Sequence, residues 1–148
     1  MKLNRPERLA VVVTGDRHAQ AVDWQGPIYN VLDALRATCQ HAVLIHGDCD
    51  APEGAEGIDR IAARIAASTG WQIIPVPAMW ARDDRAAGPR RNRIMLKILA
   101  ALQAQGYRAG VLAFHDDIEN SKGTKDCVAQ AELLGLSIAQ YTREGRKR

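Results

Sequence analysis

The sequence predicts a doubly wound α/β fold, with a mainly parallel sheet of about five strands and helices on both faces. Two observations predict it. Short apolar runs alternate with segments in which apolar residues recur at helical spacing, and a polar loop follows each run, which is typical of βαβ units. The length of 148 residues and the 47% hydrophobic content suit one compact core. We therefore expect one domain over residues 1–148, with its core at about 9–141.

The first half of the chain contains three predicted strands, at residues 9–13, 42–45 and 72–76. Pro27 is expected to start the first helix. The apolar face of this helix consists of Ile28, Val31, Leu32, Leu35 and Cys39. The second helix follows Gly57 and ends at Gly70, a suitable C-terminal cap. The third strand contains Pro75, so we expect it to be short or to lie at a sheet edge.

The second half begins with a charged stretch after Trp80. Pro89 is expected to start a long helix that ends before Gly106. A fourth strand is predicted at 110–114 and a last one at 138–141, on either side of a helix that displays Val128, Ala131 and Leu134.

The formal charge of +3 is concentrated in the tail, residues 143–148, which carries four positive charges and one negative charge. The tail alone therefore accounts for the excess, and we expect it to be a frayed, solvated end, with a nucleic-acid arm as the alternative.

The polar start, residues 1–8, does not resemble a signal peptide, and no apolar run is long enough to span a membrane. Three widely spaced cysteines suggest reduced thiols. A cytoplasmic protein with no membrane partner is expected.

Four motifs fall where strands end or helices begin. In an open parallel sheet, the carboxyl ends of the strands lie at one edge. Ligands bind at this carboxyl edge, where helix N-termini present free N–H groups. The motifs are Thr14-Gly15-Asp16-Arg17, His46-Gly47 with residues 54–57, Gly88-Pro89-Arg90-Arg91-Asn92, and Ser121-Lys122-Gly123-Thr124. Glycine lets a backbone approach a phosphate, and hydroxyl groups can donate to an anion or cap a helix. A plain capped helix start is the alternative for the last motif.

Charge is divided between two segments. Residues 82–97 sum to +4 and residues 46–60 sum to −4. The guanidinium groups of the basic segment can donate two parallel hydrogen bonds to a phosphate. The carboxylates of the acidic segment can accept hydrogen bonds from ribose hydroxyls or hold a hydrated Mg²⁺ ion. Mg²⁺ is therefore a possible cofactor, and no zinc spacing is present. A solvated helix face is the alternative for the basic segment.

Several familiar sites are excluded by their motifs. The chain lacks GxGxxG after the first strand, GxxxxGK[ST] and GxSxG. These absences argue against a conventional dinucleotide fold, a P-loop NTPase and an α/β-hydrolase.

Taken in order, the four motifs resemble the YspA-like branch of the SLOG superfamily, from about residue 11 to 135. The resemblance implies a Rossmann-like sheet that binds a nucleotide or nucleotide-derived ligand at its carboxyl edge, as a sensor or processing domain. The superfamily is similar in fold to LOG phosphoribohydrolases and DprA-type proteins. Homodimers are common among similar proteins.

The diagnostic patterns of the LOG enzymes are only partly kept. Their Arg-Lys-x-x-Met pattern corresponds to Arg91 and Met95, with Asn92 in place of the lysine. Their Gly-Thr phosphate cradle corresponds to Gly123 and Thr124, but Cys127 stands at the glutamate position. Glycosidic hydrolysis needs a carboxylate, which a thiol does not replace. The resemblance therefore supports ligand binding better than hydrolysis.

The leading hypothesis is a binding domain for a nucleotide or nucleotide-derived ligand. The expected ligand-binding residues are Gly15, Asp16, Arg17, His46, Gly47, Gly57, Asp59, Arg60, Gly88, Pro89, Arg91, Asn92, Ser121, Lys122, Gly123 and Thr124. An alternative is a phosphoribohydrolase-like enzyme whose catalytic residues are Asp16, Asp59 and Arg91. DNA binding through residues 82–97 and the tail is a further alternative, although nucleic acid is the less favoured partner. Trp24 and Trp80 are expected to flank the pocket, as packing residues or as stacking partners of a base.

Overall fold

A computed structural model of the chain describes residues 7–147 and contains one six-stranded sheet. The strands are β1 (Arg8–Gly15), β2 (His41–His46), β3 (Gln72–Pro75), β4 (Arg108–Phe114), β5 (Ile138–Thr142) and β6 (Gly145–Lys147). Their order is β3-β2-β1-β4-β5-β6, and every neighbouring pair is parallel except β5 and β6. This order confirms the doubly wound, Rossmann-like sheet, with one strand more than expected.

Helices cover both faces of the sheet, as predicted. They are α1 (Ala21–Arg36), α2 (Ile58–Ser68), α3 (Trp80–Asp83), α4 (Ala87–Ala104) and α5 (Gly123–Leu133). One apolar core lies between the sheet and α1 and α2, and a second lies between the sheet and α4 and α5. No helix among residues 7–147 is long and apolar enough to cross a membrane.

Strand β1 is buried on both faces, because its side chains alternate between the two cores. Val11 and Val13 belong to the core under α1 and α2, while Ala10 and Val12 belong to the opposite core. Complete burial of a valine side chain contributes about 1.5–3 kcal/mol. The β-branched run therefore forms the centre of the sheet.

The strand order of the sheet reverses between β1 and β4. From β1 the chain proceeds to β2 and β3 on one side, and it later returns to β4 and β5 on the other. The Asp16 N–H donates to the Phe114 carbonyl at 3.1 Å, so the ends of β1 and β4 lie side by side. Ligand sites of doubly wound sheets form at such switch points.

Two helix starts differ from the prediction. Helix α1 begins at Ala21, and Pro27 lies inside it, because Trp24, Ile28 and Leu32 form one buried stripe that extends the helix upstream. Helix α4 begins at Ala87, two residues before Pro89. Proline is tolerated there because the first N–H groups of a helix have no intrahelical partner.

Helix ends follow the predictions less closely than strands do. Gly70, with φ 84°, ends α2 as expected, and β3 is a short edge strand. Cys39 lies beyond the end of α1, and Leu134 lies beyond the end of α5, where it is 56% exposed. The spacing predicts Leu134 on the apolar face of this helix, but in the structure it is not a core residue.

Residues 143–147 of the tail are not a frayed end. Gly145–Lys147 forms β6, which pairs antiparallel with β5. Arg143 holds the turn before β6, because its backbone N–H and its Nε both donate to Asp116, at 2.9 and 2.6 Å. The side chains of β6 remain exposed, and residues 1–6 and Arg148 lie outside the described part of the chain.

Candidate ligand-binding site

The loop after β1 is joined to the start of α2. The Asp16 carbonyl accepts from the Ile58 N–H at 3.0 Å. A Cβ atom on Gly15 would lie 2.6 Å from Ile58 Cγ1, so only glycine allows this approach. Gly57 has φ 83°, and a Cβ there would lie 3.2 Å from the Arg17 carbonyl oxygen. The structure thus brings together the predicted residues Gly15, Asp16 and Gly57.

Strands β1, β2 and β4 end in the same kind of turn. In each, a side chain accepts a hydrogen bond from the backbone N–H two residues later. The pairs are Asp16 Oδ1 with His18 N at 2.8 Å, His46 Nδ1 with Asp48 N at 3.0 Å, and His115 Nδ1 with Asp117 N at 2.9 Å. Because Nδ1 is the acceptor in both histidines, their neutral rings carry the hydrogen on Nε2.

Arg91 crosses from α4 to the loop after β2. Its Nη1 donates to the Gly47 carbonyl at 2.8 Å, and its Nε donates to Asn92 Oδ1 at 2.9 Å. A Cβ on Gly47 would lie 2.7 Å from Arg91 Cζ, so Gly47 leaves the space that the guanidinium occupies. No ion pair among residues 7–147 includes Arg91. Arg91 is therefore a partly buried cation without a carboxylate partner in this part of the chain.

Asn92 joins α4 to α5. It is 2% exposed, and its Nδ2 donates to the Gly123 carbonyl at 3.2 Å and to Asp126 Oδ2 at 2.9 Å. A lysine, the corresponding residue of the LOG pattern, would place a charge in this buried position. Asn92 thus links the Arg91 guanidinium to the start of α5.

Asp59 and His46 form a buried polar pair beside Arg91. Burial raises the pKa of Asp59, while Arg91, His46 and a hydrogen bond from the Cys49 N–H at 3.2 Å oppose the rise. Burial lowers the pKa of His46, against the attraction of Asp59 and Asp48. Perturbed pKa values of this kind are common at functional sites.

The start of α5 is open. A Cβ on Gly123 would have no neighbour within 4 Å, whereas Thr124 is only 3% exposed. Ser121 Oγ accepts from the Lys125 N–H at 3.2 Å, which confirms its predicted capping role. A shallow depression of about 570 Å³ is lined by Ser121, Lys122 and Asp126, but it does not reach Arg91 or Asp59.

Cys127 is fully buried on α5. Burial raises its pKa to about 12, and the nearby positive charge of Arg91 only partly opposes the rise. The thiol therefore stays protonated near neutral pH, and it supplies neither a base nor a nucleophile at the glutamate position of the LOG pattern.

Other predicted residues do not join the cluster around Arg91. Arg60 pairs with Asp50 at 2.8 Å in the loop after β2. The side chain of Arg90, adjacent to Arg91, pairs with Asp83 at 2.8 Å. The carbonyl of Pro89 accepts from Gln130 Nε2 at 3.2 Å. Lys122 and Arg17 are exposed, and residues 7–147 contain no group of three or more potential metal ligands.

Three supporting residues were not anticipated as such. Cys49 donates its N–H to Asp59, Asp126 accepts from Asn92, and Asp83 accepts from Arg82 and Arg90. The Asn92 and Asp126 partners are 34 residues apart, so no local spacing signals the contact. Trp24 is buried and packs edge-on against Phe114, which is the packing role of its two predicted roles.

Comparison with curated proteins and comparison with solved structures each gave no match. A family model described as YAcAr: YspA, cpYpsA-related SLOG family matches residues 9–82, half of the 148-residue chain. The matched part runs from β1 through α2 to α3 and includes Gly15, Gly47 and Asp59. The chain belongs to the YspA, cpYpsA-related SLOG family.

Proposed function

We propose that the chain binds a nucleotide or a nucleotide-derived ligand at the carboxyl edge of the sheet, between the loops after β1 and β2 and the starts of α4 and α5. Arg91 carries the proposal. It is a partly buried guanidinium without a carboxylate partner among the described residues, and two acceptors hold it in place. An anionic ligand would supply the missing charge. The SLOG family suggests the nucleotide class.

The phosphate end of the ligand is assigned to Arg91 and the start of α5. Helix α5 has 11 residues, and its first N–H groups and its dipole favour an anion. Gly123 leaves room for a phosphate oxygen beside the backbone, since a Cβ there would meet nothing within 4 Å. Exposed Lys122 adds a positive charge, whereas the Ser121 hydroxyl donates to the Ile118 carbonyl at 2.9 Å and supports the loop before α5.

The hydroxyl-bearing end of the ligand is assigned to the loops after β1 and β2. Among residues 7–147, the Asp16 carboxylate accepts the His18 N–H through Oδ1 and no other hydrogen bond, so Oδ2 is left to accept from a ribose hydroxyl. His46 is oriented by the Asp48 N–H and presents Nε2–H as a donor. Gly15 and Gly57 let the loop after β1 and the start of α2 approach each other closely, and Gly47 accommodates the Arg91 guanidinium, so these glycines support the loops that would hold the ligand.

A phosphoribohydrolase-like reaction is the second candidate, and Asp59 favours it. A carboxyl whose pKa is raised by burial suits a general acid that protonates a leaving base. The high pKa of Cys127 weakens this candidate, because the residue at the glutamate position has no acid–base role near neutral pH. Release of free base from AMP by the wild-type chain, lost in Asp59→Asn, would support hydrolysis. Equal release by both chains would remove Asp59 from the reaction.

DNA binding is supported less well. Arg82 and Arg90 share Asp83, and Arg143 pairs with Asp116. Three cations of the two basic segments are thus engaged within the chain, and fewer remain for a phosphate backbone.

Native mass spectrometry tests the proposed function. We expect the protein purified from cells to retain a nucleotide-sized adduct, or to acquire one on addition of AMP, GMP, CMP, UMP, ADP or ADP-ribose. Isothermal titration with the same panel measures the affinity. A chain that retains no adduct and gives no binding heat with any of these compounds would contradict the proposal.

A further inference from the structure

Trp80 is the exposed tryptophan of the chain. Trp24 and Trp71 are 3% and 6% exposed, whereas Trp80 is 59% exposed and its neighbour Met79 is 52% exposed. An indole left in water has most of its apolar surface available for burial against a planar partner. The position of this ring therefore bears on what the site binds.

The segment that carries Trp80 is fastened to the sheet and to α4. The Val76 N–H donates to the His46 carbonyl at 2.8 Å. The Asp83 side chain is only 4% exposed, and it accepts from Arg82 at 3.1 Å and from Arg90 at 2.8 Å. The Arg82 hydrogen bond and the nearby charges hold the pKa of Asp83 below its usual value. The turn around Trp80 is thus held in place at both ends.

The ring of Trp80 lies over the face of α4 that carries Arg91. A Cβ on Gly88 would lie 3.6 Å from Trp80 Cη2, so the indole reaches the first turn of α4. Gly88 precedes Arg91 by three residues and Asn92 by four, and residues at these spacings share one face of a helix. The three-residue spacing is about 4.5 Å along the helix axis. Gly88, a predicted ligand residue, therefore lies beneath Trp80.

We infer that Trp80 stacks on the base of a nucleotide whose phosphate is bound by Arg91, and so provides affinity for ligands with a planar ring. The inference rests on the proposed function and assigns one part of the ligand to one side chain. Stacking on an aromatic side chain tolerates different bases, because every base has a π face. Trp80 therefore selects nucleotides over ribose phosphates without selecting one base.

Trp80→Ala and Trp80→Phe test the inference, with AMP, GMP, CMP, UMP and ribose 5-phosphate as probes. We expect Trp80→Ala to weaken binding of the four nucleotides about tenfold and to leave ribose 5-phosphate unchanged. Trp80→Phe should retain most of the affinity, because it keeps an aromatic face. Tyr29→Ala is the matched control, since Tyr29 is a 45% exposed aromatic residue on α1. Binding of AMP should also quench the emission of Trp80 in the wild-type chain.

Three results would overturn the inference. Trp80→Ala could bind nucleotides as the wild-type chain does, it could lose affinity for ribose 5-phosphate and nucleotides equally, or AMP could bind without changing the fluorescence. These results leave the proposed function intact, because the wild-type chain still binds nucleotides in each of them. Failure of the wild-type chain to bind any of the five probes would instead overturn the proposed function together with the inference.

Discussion

Arg91 on α4 donates through Nη1 to the carbonyl of Gly47, 2.8 Å away in the loop after β2. The contact joins two segments of opposite sequence charge, the basic residues 82–97 and the acidic residues 46–60. Any other residue at position 47 would displace the guanidinium from this place, since a Cβ there would lie 2.7 Å from Arg91 Cζ. The guanidinium donates to neutral acceptors and forms no ion pair within the described residues, although buried Asp59 is near enough to attract it, so its other N–H groups are left for an anionic ligand.

Gly123→Ala separates ligand binding from folding. Alanine at the first residue of α5 should leave the stability unchanged or slightly raised, because the added methyl meets nothing within 4 Å and alanine is the better helix former. If a phosphate lies against Gly123, the same methyl should weaken nucleotide binding about tenfold or more. Thermal unfolding and isothermal titration measure the two effects.

Gly15→Ala provides the contrasting control for this experiment. A methyl at Gly15 would lie 2.6 Å from Ile58 Cγ1 and would also meet the Phe114 carbonyl oxygen, which belongs to the backbone of β4. We expect a loss of stability of about 1–3 kcal/mol or more, as for other overpacked positions. Normal nucleotide affinity in Gly123→Ala would contradict the assignment of the phosphate to α5.

Asp59→Asn should raise the stability of the chain at neutral pH. Burial raises the pKa of Asp59 in the folded chain above its ordinary value of 3.8, so ionisation is less favourable in the folded state than in the unfolded state. The protonated carboxyl therefore contributes its full stability below pH 3.8, and this contribution is lost as the pH rises through the folded pKa. Asparagine has no such ionisation and can still accept the Cys49 N–H.

Denaturant unfolding of the wild-type chain and Asp59→Asn, between roughly pH 3.5 and pH 8, measures the difference in their free energies of unfolding. The free energy of unfolding of Asp59→Asn should exceed that of the wild-type chain at the upper end, and the difference should shrink towards the lower end. Asp33→Asn, at an exposed position of α1, should show no comparable trend. A variant that is less stable than the wild-type chain at neutral pH would contradict the effect of burial on Asp59.

Cys127 should resist alkylation in the folded protein. Its side chain is fully buried, and a pKa of about 12 keeps it protonated near neutral pH, whereas thiolates are the reactive form. Iodoacetamide labelling followed by peptide mass spectrometry should modify the partly exposed Cys39 and Cys49 first. Labelling of Cys127 is expected only after unfolding in denaturant, where all three cysteines should react. Comparable labelling of Cys127 and Cys49 in the folded chain would contradict its burial.

The predictable part of the fold is the part that depends on local patterns. The five strands of the parallel sheet are buried or partly buried apolar runs, so hydrophobicity alone reveals them. Strand β6 is short, charged and fully exposed, and it exists because it pairs with β5 and because Arg143 binds Asp116. Pro27 was misleading because the burial of Trp24 extends α1 past a residue that favours helix starts.

The candidate site was predictable in its location but not in its contacts. Strand ends and glycines place the motifs at the carboxyl edge, since parallel strands end on the same side of a sheet. The pairing of Arg90 with Asp83 and of Arg60 with Asp50 distinguishes these arginines from Arg91, and only the folded chain shows it. The family match ends at residue 82, so the assignment of Arg91 and Gly123 depends on the geometry of α4 and α5.

Isothermal titration of AMP, GMP, CMP and UMP into the wild-type chain, Arg91→Ala and Arg93→Ala tests the central claim most directly. Arg93 is an exposed arginine two residues further along the same helix, so its variant removes an equal charge from a different face. We expect the wild-type chain and Arg93→Ala to bind with similar affinity, and Arg91→Ala to bind at least about tenfold more weakly. Equal affinity of all three chains would contradict a role of Arg91 in binding the ligand's phosphate.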